Sequence, residues 1–118
     1  MQTTLRAAIA MGLLLLTQTI RAQEIRETTC TPVDVTSFRD RVQLQCVEEV
    51  RDAFENVRLF VVPAADADFA NRFLNTASTA LVGGRVLVVR YHGMSLLPGE
   101  PSPSCGKACR LVVAISIR

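Results

Sequence analysis

Residues 66–81, DADFANRFLNTASTAL, repeat their apolar side chains at the period of an α-helix. At 100° per residue, Phe69, Ala70, Phe73, Leu74, Ala77, Ala80 and Leu81 gather on one arc of roughly 140°. Asp68, Asn71, Arg72, Asn75, Ser78 and Thr79 fill the remainder. Asp66 is placed to cap the first free amides and Asp68 to favour the positive end of the dipole. Gly83 and Gly84 supply the left-handed geometry that stops a helix. The pattern predicts one amphipathic helix whose apolar stripe is core.

The other periodic segments read as strands. Val33 and Val35 alternate with Asp34 and Thr36, then Val42, Leu44 and Cys46 alternate with Gln43 and Gln45, which predicts a hairpin turning through residues 37–40. Residues 57–62 are apolar on both sides apart from Arg58, as a central strand would be, and Pro63 ends them. Residues 86–91 form a fourth strand of the same kind, and 111–117 alternate as a fifth. Residues 48–56, EEVRDAFEN, fit two helical turns through Val50, Ala53 and Phe54, yet lie between strands, so they are read as a loop with helical character. Residues 23–31 are polar and without period, which predicts a flexible N-terminal arm. Residues 92–108 hold three of the five prolines and three of the six glycines, the composition of a long surface loop. A lone helix among strands must lie against a sheet or plug one end of a barrel.

Residues 1–22 change the reading of charge and address. One basic residue, Arg6, an apolar run over 7–16 and a polar stretch ending at Ala22 make the three-part pattern of a signal peptide, with a run too short for a permanent anchor. Loss of Arg6 and Arg21 takes the 13 basic residues to 11, matching the 11 acidic ones. A neutral chain without a basic run excludes a phosphate-tracking surface, so neither nucleic acid nor an anionic membrane is expected as a partner. The chain is expected in the periplasm or secreted, as one small domain over 32–118. Cys30, Cys46, Cys105 and Cys109 are an even set in an exported chain and read as two disulfides, with three pairings open.

Several features together resemble a known family. They are residues 41–46, Arg-Val-Gln-Leu-Gln-Cys; the strand over 57–62; Phe69-x-x-x-Phe73-Leu74 running into Gly84; the strand over 86–91; and Cys105-x-x-x-Cys109 with Arg110 leading into 111–117. In this order the chain is similar, over residues 33–118, to small exported bacterial OB-fold proteins like the B subunits of AB5 toxins, the subtilase-cytotoxin type above all. The resemblance implies a mainly β, five-stranded Greek-key barrel of β-β-β-α-β-β order, stabilised by disulfides. Within that fold Cys30 meets Cys46 at the open end of a hairpin and Cys105 pairs with Cys109. The alternative joins Cys46 to Cys105 or Cys109 across the barrel end.

Enzymatic chemistry finds little support. His92 is the only histidine, and no serine or cysteine motif accompanies it as a nucleophile. Cys105-x-x-x-Cys109 lacks the second cluster of a zinc site. Glu48, Glu49, Asp52 and Glu55 lack the glycine and alternating ligands of a calcium loop, and read as a solvated charged face. No metal and no cofactor is expected. Arg90, Tyr91 and His92, beside the proline-rich loop, are the one cluster with an aromatic face and polar groups, so they are the candidate ligand site. The expected function is a non-enzymatic exported binding module for a glycan or an envelope protein, similar to toxin B subunits and homo-oligomeric if the likeness extends that far. The alternatives are an envelope-accessory protein without sugar recognition, or an inhibitor of a secreted hydrolase inserting its 96–108 loop.

Overall fold

The computed structural model describes residues 24–93 and 105–118. The expected signal peptide, Gln23 and the middle of the proline-rich loop lie outside the described residues. The elements are β1 (Ile25–Cys30), β2 (Pro32–Ser37), β3 (Arg41–Asp52), β4 (Glu55–Pro63), α1 (Ala67–Gly83), β5 (Leu87–His92), a short 3-10 turn (Gly106–Ala108) and β6 (Cys109–Ile117). The strands form one mixed sheet in the order β1-β5-β6-β4-β3-β2. Only β4 and β6 run parallel, paired over Leu59 to Val61 against Cys109 to Leu111; the other neighbours are antiparallel.

The strand count is six where the sequence pattern predicted five. Residues 25–30, expected as a flexible arm, form β1 and pair with β5 from Ile25 opposite His92 to Cys30 opposite Leu87. Their side chains are mostly exposed, so backbone hydrogen bonds alone define this strand and no apolar alternation marks it. Residues 48–56 are likewise corrected. They finish β3 and begin β4, joined by a tight turn at Ala53 and Phe54 instead of a loop with helical character.

One residue, Thr31, separates β1 from β2, yet these two strands are the opposite ends of the sheet order. The sheet must therefore curl into at least a half-barrel, with chain running straight from one edge to the other. Cys30 and Cys46 are bridged across this bend, and Pro32 lies opposite Cys46. The Thr31 carbonyl accepts from the Val47 amide at 2.9 Å. The Glu48 carboxylate accepts from the Thr31 amide at 2.6 Å and from the Thr31 hydroxyl. Desolvation pushes the Glu48 carboxyl up, but these two bonds outweigh it and hold its pKa below the ordinary value.

The concave side is the core. Val42, Leu44, Val57, Phe60, Val62, Leu87, Val89 and Tyr91 are buried there from the strands. Helix α1 packs against β2, β3, β4 and β6 and closes the curl with Ala70, Phe73, Ala77 and Ala80, all buried. Phe69 and Leu74 flank that stripe, whereas Leu81, counted with it by periodicity, is 37% exposed at the last turn. Asp66 holds the N-cap position without a side-chain cap bond; instead its carbonyl accepts from the Ala70 amide at 2.8 Å. Gly84 takes the left-handed conformation, φ 62°, and its amide reaches back to the Ala80 and Leu81 carbonyls.

The second bridge joins Cys105 to Cys109, so both disulfides pair as the family resemblance implied. Two bridges place the folded chain in an oxidising environment. The bridges close loops of very different length, 16 and 4 residues apart in sequence. Loop entropy then assigns about 3 kcal/mol to Cys30–Cys46 and about 2 kcal/mol to Cys105–Cys109. Cys30→Ala/Cys46→Ala is expected to lower Tm more than Cys105→Ala/Cys109→Ala does in thermal melts of the oxidised proteins. Because the Glu48 pKa is depressed in the folded chain, its contribution is complete above 4.5 and disappears as pH falls through the lower folded value. Glu48→Gln is expected to flatten the fall in Tm between about pH 5 and pH 3.

Candidate functional site

The acidic residues of β3 and β4 do not share one solvated face: Glu49 is exposed, Glu48 and Glu55 are half-buried and Asp52 is buried. Between the pairs Gln45–Leu59 and Val50–Val57, residues 46–49 of β3 stand against Arg58 alone. This bulge bends the strand and turns consecutive side chains apart. Glu48 reaches Thr31, as above, while Glu49 lies 3.6 Å from the Arg58 guanidinium.

Asp52, at the end of β3, is buried. Its Oδ2 accepts from Arg110 Nε at 2.6 Å, and its Oδ1 lies 3.1 Å from Arg26 Nη1. Arg110, also buried, donates through Nη2 to the Asp52 carbonyl at 3.0 Å and through Nη1 to the Lys107 and Cys109 carbonyls. One guanidinium thus ties the β3–β4 hairpin to the Cys105–Cys109 loop. Arg26 adds the start of β1 to the same knot. Burial within this knot raises the Tyr91 pKa, with the Asp52 charge adding to it and Arg26 and Arg110 opposing, so the phenol remains neutral.

Beyond Asp52 the hairpin turns through Ala53 and Phe54, at φ 49° and 69°. Both values lie in the left-handed region, where a two-residue hairpin turn ordinarily uses Asn-Gly. A side chain there costs about 1–2 kcal/mol per residue. Phe54 is also 92% exposed. The tip therefore combines backbone strain with a bare aromatic ring.

On the convex side of β3 and β4 lies a groove of about 330 Å³. Period-two alternation sends Gln43 and Gln45 outward from β3, opposite Val61 and Leu59 of β4. Asn56 and Arg58 of β4 and Glu49 of the bulge complete its polar wall, and Leu59 and Ala108 its apolar part. Three carboxamides offer both donors and acceptors, although Gln43 Oε1 already accepts from Arg41 Nε at 3.1 Å. The one acid and one base are paired with each other, so the groove is close to neutral.

The residues singled out in the sequence are placed differently. Arg90 and Tyr91 are neighbours in β5 and point to opposite faces. Arg90 is exposed, its Nε 3.0 Å from Glu27 Oε1, and lines a second depression of about 260 Å³ with Val88, Ala114 and Ser116. Tyr91 is buried, its ring edge-on to Phe60 with centroids 5.1 Å apart. His92 is half-buried, opposite Ile25. The three do not converge on one surface. The four cysteines form the two bridges and take no other part. Among the described residues no three His, Cys, Asp or Glu side chains gather to hold a metal, and no helix is long and apolar enough to cross a membrane. The groove was missed because Gln43 and Gln45 served only as the polar half of a strand pattern; the outward carboxamides at i and i+2 were its signal. Neither a protein-family model nor a curated protein matches the chain.

Removing one member of a buried ion pair leaves the other charge without compensation, at a cost of about 3–5 kcal/mol. Asp52→Ala is expected to lower Tm by roughly 10 °C or more. Adding Arg110→Met should recover part of that loss, and additive losses in urea or thermal unfolding would dissolve the coupling.

Proposed function

We propose that this chain is an exported, non-enzymatic binding module of the OB type whose β3–β4 groove takes a neutral, hydroxyl-rich ligand, an oligosaccharide. The observation carrying this reading is the groove itself: Gln43, Gln45 and Asn56 beside a self-neutralised Glu49–Arg58 pair, around Leu59. Carboxamides suit vicinal hydroxyls because each can donate to one and accept from the next. A leucine floor suits the C–H face of a sugar ring. The internal ion pair leaves no net charge to demand a charged ligand.

The OB reading draws support from the topology. If β1 and β2 are one long strand bent at Thr31, the order becomes a five-stranded Greek key with the helix between its third and fourth strands. The parallel pairing of β4 with β6 then joins the third and fifth strands. OB-folds bind oligosaccharides on the face of their second and third strands, next to the loop before the fifth. These correspond to β3, β4 and the segment that ends at Ala108. Export is supported by the two bridges and the leader-like residues 1–22.

A glycan array probed with the oxidised protein tests the reading. Neutral oligosaccharides are expected among the ligands, with Gln45→Ala and Asn56→Ala each weakening them about fivefold, the worth of one hydrogen bond near 1 kcal/mol. An array without ligands, or equal binding by wild type and both variants, would refute it.

A further inference from the structure

The lining of the β3–β4 groove contains no aromatic ring, yet the most exposed large apolar side chain among the described residues stands at the end of the same hairpin. We propose that Phe54 is the stacking platform of this site, laying its ring against the C–H face of a pyranose whose hydroxyls the groove carboxamides hold. This rests on the groove being an oligosaccharide site.

Three observations bear on it. Phe54 precedes Asn56, a groove residue, by two positions along the hairpin, a span of at most about 7 Å, within the length of one sugar unit and its linkage. The ring does not serve the fold, being 92% exposed, and its backbone sits at φ 69° where glycine would be relaxed. The chain entering the tip is also anchored: Asp52, the residue before the turn, has both its carbonyl and its carboxylate held by Arg110, and its other oxygen faces Arg26. An anchored turn gives up little backbone freedom on binding, so only the Phe54 side chain has to be ordered by the ligand. The adjoining Glu49–Arg58 pair is neutral overall, and exposed Arg51, opposite Asn56, can donate to a sugar hydroxyl.

The test compares wild type, Gln45→Ala, Phe54→Ala, Phe54→Tyr and the double variant Ala53→Asn/Phe54→Gly against the best oligosaccharide from the array, by calorimetry and by proton NMR of the sugar. Phe54→Ala is expected to bind at least about tenfold more weakly with unchanged Tm, and Phe54→Tyr to bind within about threefold of wild type. The Asn-Gly variant is expected to melt roughly 5 °C higher while losing the ligand, a combination that a merely structural role cannot produce. Sugar C–H protons should shift upfield on wild type and not on Phe54→Ala. Loss of binding by Gln45→Ala with full binding by Phe54→Ala overturns the assignment while leaving the groove reading intact. Absence of any oligosaccharide ligand for wild type overturns both, and loss of a protein partner by Phe54→Ala with the sugar still bound overturns it in favour of protein docking.

Discussion

The bend at Thr31 is the constraint on which the rest of the structure depends. A strand normally belongs to one place in a sheet, but here chain on either side of a single residue occupies opposite edges. Curling follows from that, because β1 cannot pair with β5 while β2 pairs with β3 unless the sheet comes round on itself. Three separate interactions hold the bend: a disulfide, a backbone bond from Val47, and a carboxylate that takes two hydrogen bonds from one threonine. All three partners lie in residues 46–48, at the start of the β3 bulge. The bulge is thus the complement of the bend, and its extra residues also deliver Glu49 to the groove wall.

The two ends of the curled sheet are closed by different physics. At one, α1 supplies small and aromatic side chains and the closure is hydrophobic. At the other, the Asp52–Arg110–Arg26 knot joins β1, the β3–β4 hairpin and the start of β6 through charge and hydrogen bonds. Such a knot adds less net stability than an apolar plug, since each buried charge gives up its hydration. It is more directional, however. Arg110 makes four bonds to three residues on two segments, which fixes the position of the turn instead of merely covering it.

These contrasts explain what was legible in the sequence. α1, β4 and β5 were readable because burial on a helical stripe or on both strand faces writes a hydrophobic pattern. β1 was not, because four of its six side chains are exposed, only Cys30 is buried, and its pairing is carried by backbone groups that every residue has. The β3–β4 hairpin was obscured by its own oddities. Its turn carries Ala-Phe in place of Asn-Gly, its bulge breaks the two-residue period, and its valine, alanine and phenylalanine happen to fall at helical spacing. The buried Asp52 could not be told from its exposed acidic neighbours, since its partner Arg110 is 58 residues away. Tyr91 drew notice as the only tyrosine, but alternation beside Arg90 turns it into the core, where Phe60 receives it.

The places where the hairpin departs from local rules fall together in space, and that is the strongest structural ground for locating function there. A strained turn and a bare aromatic are each unfavourable for folding alone. They stand beside one amide-lined groove, and the residue before the strained turn, Asp52, is anchored in the buried knot. Were the hairpin only a connection, an Asn-Gly turn would join the same ends of β3 and β4 at lower cost. Strain at a turn whose entry is anchored in a buried network, next to a groove that has polar walls but no aromatic floor, is accounted for if the hairpin is shaped for a ligand as well as for the sheet.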